Sequence, residues 1–588
     1  MKRSITCSTG LLWVLCAALF LSGCSGELPG EDDSENGQGR TVTLSLDKVT
    51  ASTATFKGHL NVPASDISYS QVTIYYSDAE TFNINSAESI STILFDEQQN
   101  FSITLTGLKI GVKYNYCMVT EVKAEKTFSD VFSFTTDNVT ISELSVSPGC
   151  FKADVCGSIT GLSEEDYEQA QIFVCYTSEA DILEVDLPLW LLAADRVNVD
   201  ELSSSGEFSV SFSNLAADTK YYCKVIIYLY GEARLGSAAI EFTTMKQPSY
   251  DTQTDLDVAS ATDLSFSGSA NCYIVSGPGL YKFKTVKGNS DTSAGNVASA
   301  TILWETFGTL TVPEPFDLIG AFCYKDGYIG FRVPDTFREG NAVIAAKDAS
   351  DNILWSWHIW FTDKPQVQVY YNNAGTMMDR NIGATSTTPG DVEACGLRYQ
   401  WGRKDPFLGN SGVFEYIEAK STIDWPAPVY SDSNTGTIEY VTANPTTLIL
   451  TEYDYDWYYP GYIATDNTRW TASANSKSIY DPCPVGWRVP DGGENGVWSK
   501  ALGSSSRFDD IYDETNRGVN FSGKFGPDAS IWYPTNPSAF DFYWSASYGG
   551  SSDYFAYCLY IDGSSNVNPS SYGSPASEFP VRCVRESK

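Results

Sequence analysis

Few residues in this chain are of the types that do chemistry, and their spacing argues against it. The only histidines, His59 and His358, are far apart in the 588 residues, and no Cys-x-x-Cys occurs. Zinc-ligand spacings are therefore absent, and a thiol nucleophile would lack its usual base. Asp454 and Asp456, in TEYDYDWYYPGY, are of the type used in acid/base or calcium chemistry. No partner group is fixed beside them, and acid/base work needs one. The chain is thus expected to have no catalytic residues, metal or cofactor, and not to be an enzyme. The stretch that stands out is of another kind. Residues 543–579 read YWSASYGGSSDYFAYCLYIDGSSNVNPSSYGSPASEF; 24 of the 37 are Tyr, Ser, Gly, Asn or Asp, and none is Lys or Arg. That is the composition of paratope loops, where rigid amphipathic Tyr supplies contact area and Ser, Gly and Asn adapt.

A surface of that kind has to be carried somewhere, and the N-terminus addresses where. Residues 1–23 have a basic start (Lys2, Arg3) and an apolar run from Leu11 to Leu21, too short to span a bilayer. They read as a secretory signal. The junction Leu21-Ser22-Gly23-Cys24 resembles a bacterial lipobox, which makes Cys24 the acylated first residue of the mature chain. Residues 24–40, SGELPGEDDSENGQG among them, lack an apolar cluster and read as a disordered acidic tether. Acids so close behind a lipidated Cys are similar to the export signal of Bacteroidota lipoproteins, which implies an outer-membrane lipoprotein exposed on the cell surface. The plainer reading is a solvated linker facing the periplasm. Removing 23 residues moves the net charge from −35 to −37, so nucleic acid and anionic lipid surfaces are not expected partners. Of 14 cysteines 11 remain after residues 7, 16 and 24 are set aside, so at least one lacks an internal partner.

The elements that must position the surface read as β. Residues 41–136 alternate in TVTLSL and QVTIYYS, then run through Leu105-Thr106-Gly107-Leu108, Tyr114 and Tyr116 to Phe132-x-Phe134-Thr-Thr. This resembles the E-to-G strands of a fibronectin type III sandwich, with one Tyr making the corner. Residues 137–246 repeat it, with Ser213-Asn214-Leu215 ahead of Tyr221, Tyr222 and Cys223. Such tandem sandwiches are expected to be spacers. Residues 247–370 read as a third sandwich-like domain. In its ILWSWHIWF, period-2 alternation puts Trp355, Trp357, Ile359 and Phe361 on one face, with Leu354, Ser356, His358 and Trp360 on the other. A strand apolar on both faces belongs in a core or domain interface, which makes His358 a satisfied core residue.

Residues 371–588 carry TMMDRNIGATS, GLRYQWGRKDPF, SIYDPCPVGWRVPDGGENGVW, FYWSAS and FPVRCVRE in order. These phrases resemble the Fibrobacter succinogenes major paralogous domain (FISUMP), which is similar to C-type-lectin-like folds. The resemblance implies an α+β head with short helices, its first and last strands adjacent, and a Cys483–Cys583 staple, since the segment entering the first helix lies beside the last strand. Asp491 is expected to cap a helix over GVWSKAL, and residues 408–477 to form a long surface loop. Formylglycine-generating enzymes are also similar in fold, but their copper cysteines have no matching pair here. In related proteins the segment before the last strand is the one that diversity-generating retroelements mutate. The resemblance makes Leu559, Ile561, Val567 and Pro569 scaffold, and Cys558, Tyr560, Asp562, Ser571, Tyr572, Gly573 and Ser574 variable.

The expected whole is mainly β and multidomain: tandem fibronectin III-like sandwiches and a third β-domain holding out a C-type-lectin-like head. Its expected task is to bind an unknown surface ligand, glycan or protein, through Tyr548, Asp553, Tyr554, Tyr560, Asp562, Ser571, Tyr572 and Ser574. Tyr548, Tyr554, Tyr560 and Tyr572 should be exposed on one face, with Trp544, Leu559 and Ile561 pointing inward. The competing class is a fimbrial tip or other assembly subunit, docking a partner strand by β-augmentation.

Overall fold

The computed structural model describes residues 41–370, 372–387, 392–408, 419–452, 455–460, 468–473, 476–503, 540–549, 555–562 and 567–586. The signal, Cys24, the tether, Asp454, Asp553, Tyr554 and the side chains of Ile561 and Asp562 lie outside the described residues. The chain is mainly β and divides into two compact units, Met1–Lys246 and Gln247–Lys588.

The first unit holds two sandwiches. In the first, the sheet of Thr41–Val49, Ala54–Asn61 and Asn100–Leu105 packs on one built around Ser70–Ser77 and Lys113–Val122, over Phe56, Ile74, Ile103, Tyr114 and Phe134. The second repeats this with Ala153–Thr160 and Glu207–Phe212 against Ala170–Thr177 and Lys220–Leu229. The corner tyrosines are Tyr114 and Tyr221, whose hydroxyls accept the backbone N–H five residues upstream, from Lys109 and Ala216, each at 2.9 Å. A buried carboxylate is central to the joint between the two sandwiches, which Lys48–Glu165 at 2.8 Å and the apolar side chains of Ala51 and Ile110 also cross. Asp166 sits in the capping box of the helix Glu164–Gln169 and is fully buried. It accepts from Thr50 Oγ1 at 2.9 Å, Ala51 N at 3.0 Å, Ser163 Oγ at 2.8 Å, and Ser52 Oγ. Burial alone would raise its pKa, but the donors on Ser52, Ser163, Thr50 and Ala51 outweigh burial and hold it below the usual carboxylate range.

The second unit begins with another sandwich. Gly279–Lys284, Tyr328–Val333 and Ala321–Lys325 face a sheet ordered Cys272–Val275, Ile353–Phe361, Gly340–Lys347, Ser299–Thr306. Trp355, Trp357, Ile359 and Phe361 enter the core between the sheets. The other side of the same sheet offers Cys272, Trp304, Val343 and Trp360 to a second core shared with Met378, Ile382, Leu397, Tyr399, Trp401, Trp470 and Trp544 of the head. Two-sided burial is what the doubly apolar strand required.

The expected domain boundary at 370/371 is therefore not a physical one, because a single core crosses it. Polar bonds tie it further: Trp360 Nε1 donates to Ala384 O at 3.0 Å, Asn341 Nδ2 to Gly383 O at 2.9 Å, and Asn271 Nδ2 to Ile479 O at 2.8 Å. Lys404, fully enclosed, bonds Ser356 O at 3.1 Å and Asp405 at 2.7 Å. His358 is buried and meets Asn341 Oδ1 at 2.9 Å, and burial pushes its pKa down to about 3, so it stays neutral.

The head brings its ends together: Gly375–Met378 pairs with Val584–Arg585, which also pairs with Trp487–Arg488. Cys483 and Cys583 form a disulfide, with Cα atoms 6.1 Å apart. The helix Val497–Leu502 starts from Gly496, not from Asp491. Asp491 is drawn instead into an ion pair with Arg488 at 2.6 Å, while its carbonyl accepts from Val497 N at 3.0 Å. The expected surface loop over 408–477 is likewise corrected. Its described parts include the helix Ile438–Ala443 and short strands, and Trp457 and Trp470 are buried, because large apolar rings there find core partners.

Candidate functional site

The tyrosine-rich stretch folds as an antiparallel sheet, Phe540–Tyr548, Ala556–Asp562 and Val567–Gly573. Alternation alone would expose one of its faces, but both are covered. Leu559 packs with Tyr543, Trp498 and Val567, while Cys558 and Trp544 pack into the core shared with the third sandwich. Cys558 is thus a core residue and not a surface position, and burial pushes its thiol up to about 12 against a hydrogen bond with Ser571. Gly573 is also fixed by packing: a Cβ there would lie 2.6 Å from the Phe579 ring.

The expected exposed tyrosines divide. Tyr572 is exposed. Tyr560 is only half-buried, its ring 5.1 Å from Phe542. Tyr548 is turned into the head, 5.2 Å from Trp401 and beneath the Arg469 guanidinium. Ser571 and Ser574 are partly exposed beside Tyr572.

Tyr572 does not stand alone. Phe555 lies 5.2 Å from it and 5.2 Å from Tyr455, each outer ring tilted by 44° or 47° to the middle one. Tyr455 belongs to the other acidic, tyrosine-rich segment, TEYDYDWYYPGY. Its φ of 58° is the left-handed region, which costs a non-glycine residue about 1–2 kcal/mol. Its carbonyl is held there by Ser574 Oγ and by Ala576 N at 3.3 Å. In the same loop Tyr459 N donates to Gly436 O at 2.9 Å, and Ser431 Oγ to Trp457 O at 2.8 Å, so the turn carrying Tyr430 is docked beside Tyr459. Tyr430, Tyr455, Tyr459 and Tyr572 are 57%, 52%, 43% and 44% exposed. Among the described residues of this unit they are its exposed tyrosines: Tyr455 and Tyr459 lie in TEYDYDWYYPGY, Tyr572 in the C-terminal stretch, and Tyr430 in the turn docked beside Tyr459.

Beneath this face lies the group that positions it. Asp456 and Arg469, both fully buried, form a bidentate ion pair, with Arg469 Nη1 to Asp456 Oδ1 at 2.8 Å. The guanidinium lies 4.6 Å from the Trp401 ring centroid, 5.1 Å from Trp457, 5.5 Å from Tyr458 and 5.9 Å from Tyr548. Asp456 is therefore structural, where sequence alone left it open to chemistry or solvation. The box, together with a small core of Val441, Ile449 and Trp457, sets the loop that ends in Tyr455 and Tyr459.

The two stretches of sequence that carry these tyrosines are one-signed. Residues 421–468 and 525–581 contain no Lys, Arg or His. Asp432, Glu439 and Glu452 are exposed there. Among the described residues no group of three His, Cys, Asp or Glu is placed to hold a metal ion. Tyr430, Tyr455, Tyr459 and Phe555 were missed in the sequence, though the absence of basic residues from 421–468 was a signal that matched the one already noticed near the C-terminus.

No family model and no curated protein matches the chain. Among solved structures it is similar to the crystal structure of chicken CNTN1 FN1-FN3 domains, at 13% identity and a TM-score of 0.17, over 34% of this chain. The chain spans 66% of that structure's length, just under two thirds, and the likeness is too slight to bear on function.

Proposed function

We propose that this is a lipid-anchored outer-membrane protein of the cell surface that recognises a ligand through the tyrosine face of a FISUMP-type, lectin-like head. In this reading Cys24 carries the anchor, residues 24–40 are the tether, and the two fibronectin-like sandwiches are spacers. The observation that carries the reading is the set of exposed tyrosines, held over a fully buried ion pair in a head whose other described large rings are buried or half-buried. Ordered, amphipathic rings held in water give contact area at little entropic cost to binding. The adjacent first and last strands and the Cys483–Cys583 bond are what a lectin-like head calls for.

The test has two parts. Metabolic labelling with a fatty-acid analogue should mark wild type and not Cys24→Ser, since the thiol is the acyl acceptor. An array of polysaccharides, mucin-type glycans and proteins should then contain spots bound by the mature chain and lost in a Tyr455→Ser/Tyr572→Ser double variant. Identical array patterns for the two proteins overturn the recognition reading.

A further inference from the structure

We infer that the tyrosine face takes a cationic polypeptide segment rich in arginine. The inference rests on the recognition reading above and gives its partner a chemistry.

Three observations meet at the face. The first is the charge. At the chain's own frequency of 38 basic residues in 588, about seven would fall in the 105 positions of 421–468 and 525–581, and none does. Exposed residues drawn from stretches without basic side chains attract and orient a basic partner and repel phosphate or acidic glycan. The second is the rings. Tyr455 and Tyr572 flank Phe555 without sharing its plane, so they offer separate π-faces, and the stretch of chain that carries Tyr455 also holds the exposed carboxylates of Glu439 and Glu452. A cation over a Tyr ring with a carboxylate at its edge satisfies both charge and stacking. The third is that the head already solves this problem internally. Immediately below, from the same loop, Asp456, Trp457 and Tyr458 hold the Arg469 guanidinium by a carboxylate fork and ring faces. A planar guanidinium uses both at once, whereas an ammonium is a point charge, which favours Arg over Lys. A neutral glycan could stack on the rings but gives no reason for the missing cations.

The experiment is fluorescence anisotropy of the mature chain with fluorescein-labelled nona-arginine, nona-lysine and nona-glutamate, and with a labelled neutral oligosaccharide, at 50 and 500 mM NaCl. Nona-arginine should bind more tightly than nona-lysine, lose affinity at the higher salt, and leave nona-glutamate unbound. Tyr455→Ser, Tyr572→Ser and the pair Glu439→Gln/Glu452→Gln should each weaken nona-arginine about 5- to 30-fold. The pair Glu97→Gln/Glu143→Gln, which removes equal charge from the first unit, should change it less than about twofold. Unchanged melting temperatures keep the variants comparable. If the first-unit pair weakens binding as much as Glu439→Gln/Glu452→Gln, or the ring variants bind nona-arginine like wild type, the arginine-rich partner is wrong. If the ring variants instead lose the oligosaccharide and keep the peptide, that partner is wrong while recognition by this face stands. If no probe distinguishes the ring variants from wild type, both readings fall.

Discussion

Each half of the molecule joins two β-structures, and the two joints differ in what holds them. In the first unit the buried carboxylate of Asp166 gathers donors from the neighbouring sandwich, beside a Lys48–Glu165 ion pair and only two small apolar contributions, Ala51 and Ile110, to the second sandwich's core. In the second, Trp304, Val343 and Trp360 cross into the head's own core, and buried polar groups fasten the seam. A joint held mostly by polar groups can loosen while both sandwiches keep their own cores. A joint made of shared core has no such intermediate, because separating its sides exposes the apolar surface that stabilises each. The difference is between two sandwiches with separate cores and a sandwich and head that share one.

The largest expected effect comes from attacking the shared core. Trp360→Ala removes a fully buried indole and its bond to Ala384. It should lower the stability of the second unit by about 3–5 kcal/mol. Calorimetry should show that loss in one cooperative transition with the first unit's transition unmoved. Separate melting of the sandwich and the head would break the comparison.

Proton linkage should separate the joints next, and in opposite directions. Glu305 is fully buried where residues 420–425 meet Ser299–Thr306, and accepts from Tyr250 Oη at 2.9 Å and from Phe316, Leu318 and Ile319 N at 2.7, 3.1 and 2.8 Å. Burial nevertheless pushes it up to about 7, and Asp481 in the same unit up to about 6. A raised carboxylate favours the protonated folded state, so its contribution is full at low pH and is lost as pH rises through the folded value. The second unit should lose on the order of 3 kcal/mol on Glu305's account between about pH 4.5 and 8. Glu305→Gln should flatten that slope while costing stability throughout, since its amide hydrogens would face backbone donors. Asp166 is held low, so the first unit's joint should be intact above pH 4 and weaken as pH falls further. Melting curves taken from pH 3 to 8 test both signs.

A smaller effect is expected from Asp166→Asn, about 1–3 kcal/mol. Its readout is small-angle scattering of residues 41–246: a broader distance distribution with both sandwiches still melting near their wild-type temperatures. Smallest of all, Tyr572→Ser should move the second unit's stability by no more than about 0.5 kcal/mol. A larger thermal shift would make the exposed ring a packing element and remove the contrast between face and core.

What the sequence determined by itself is whatever depends on near neighbours and period. Alternation predicted the sandwiches and assigned Trp355, Trp357, Ile359 and Phe361 to one face of their strand, because successive side chains must point to opposite sides of a sheet. The phrases around Cys483 and Cys583 placed two half-cystines whose pairing the fold realises. Period cannot say whether a face is covered, because the cover comes from residues far away in the chain. Cys558 and Tyr560 share a face by alternation, yet Cys558 is sealed in the shared core while Tyr560 stays half-exposed. Tyr548 reads as one more surface tyrosine until Arg469 and Trp401, 79 and 147 residues earlier in the sequence, close over it. The seam at 370/371 looked like a boundary because the sequence motifs change there; only the tertiary structure, gathering Trp360, Leu397 and Trp401 into one core, carried that core across it.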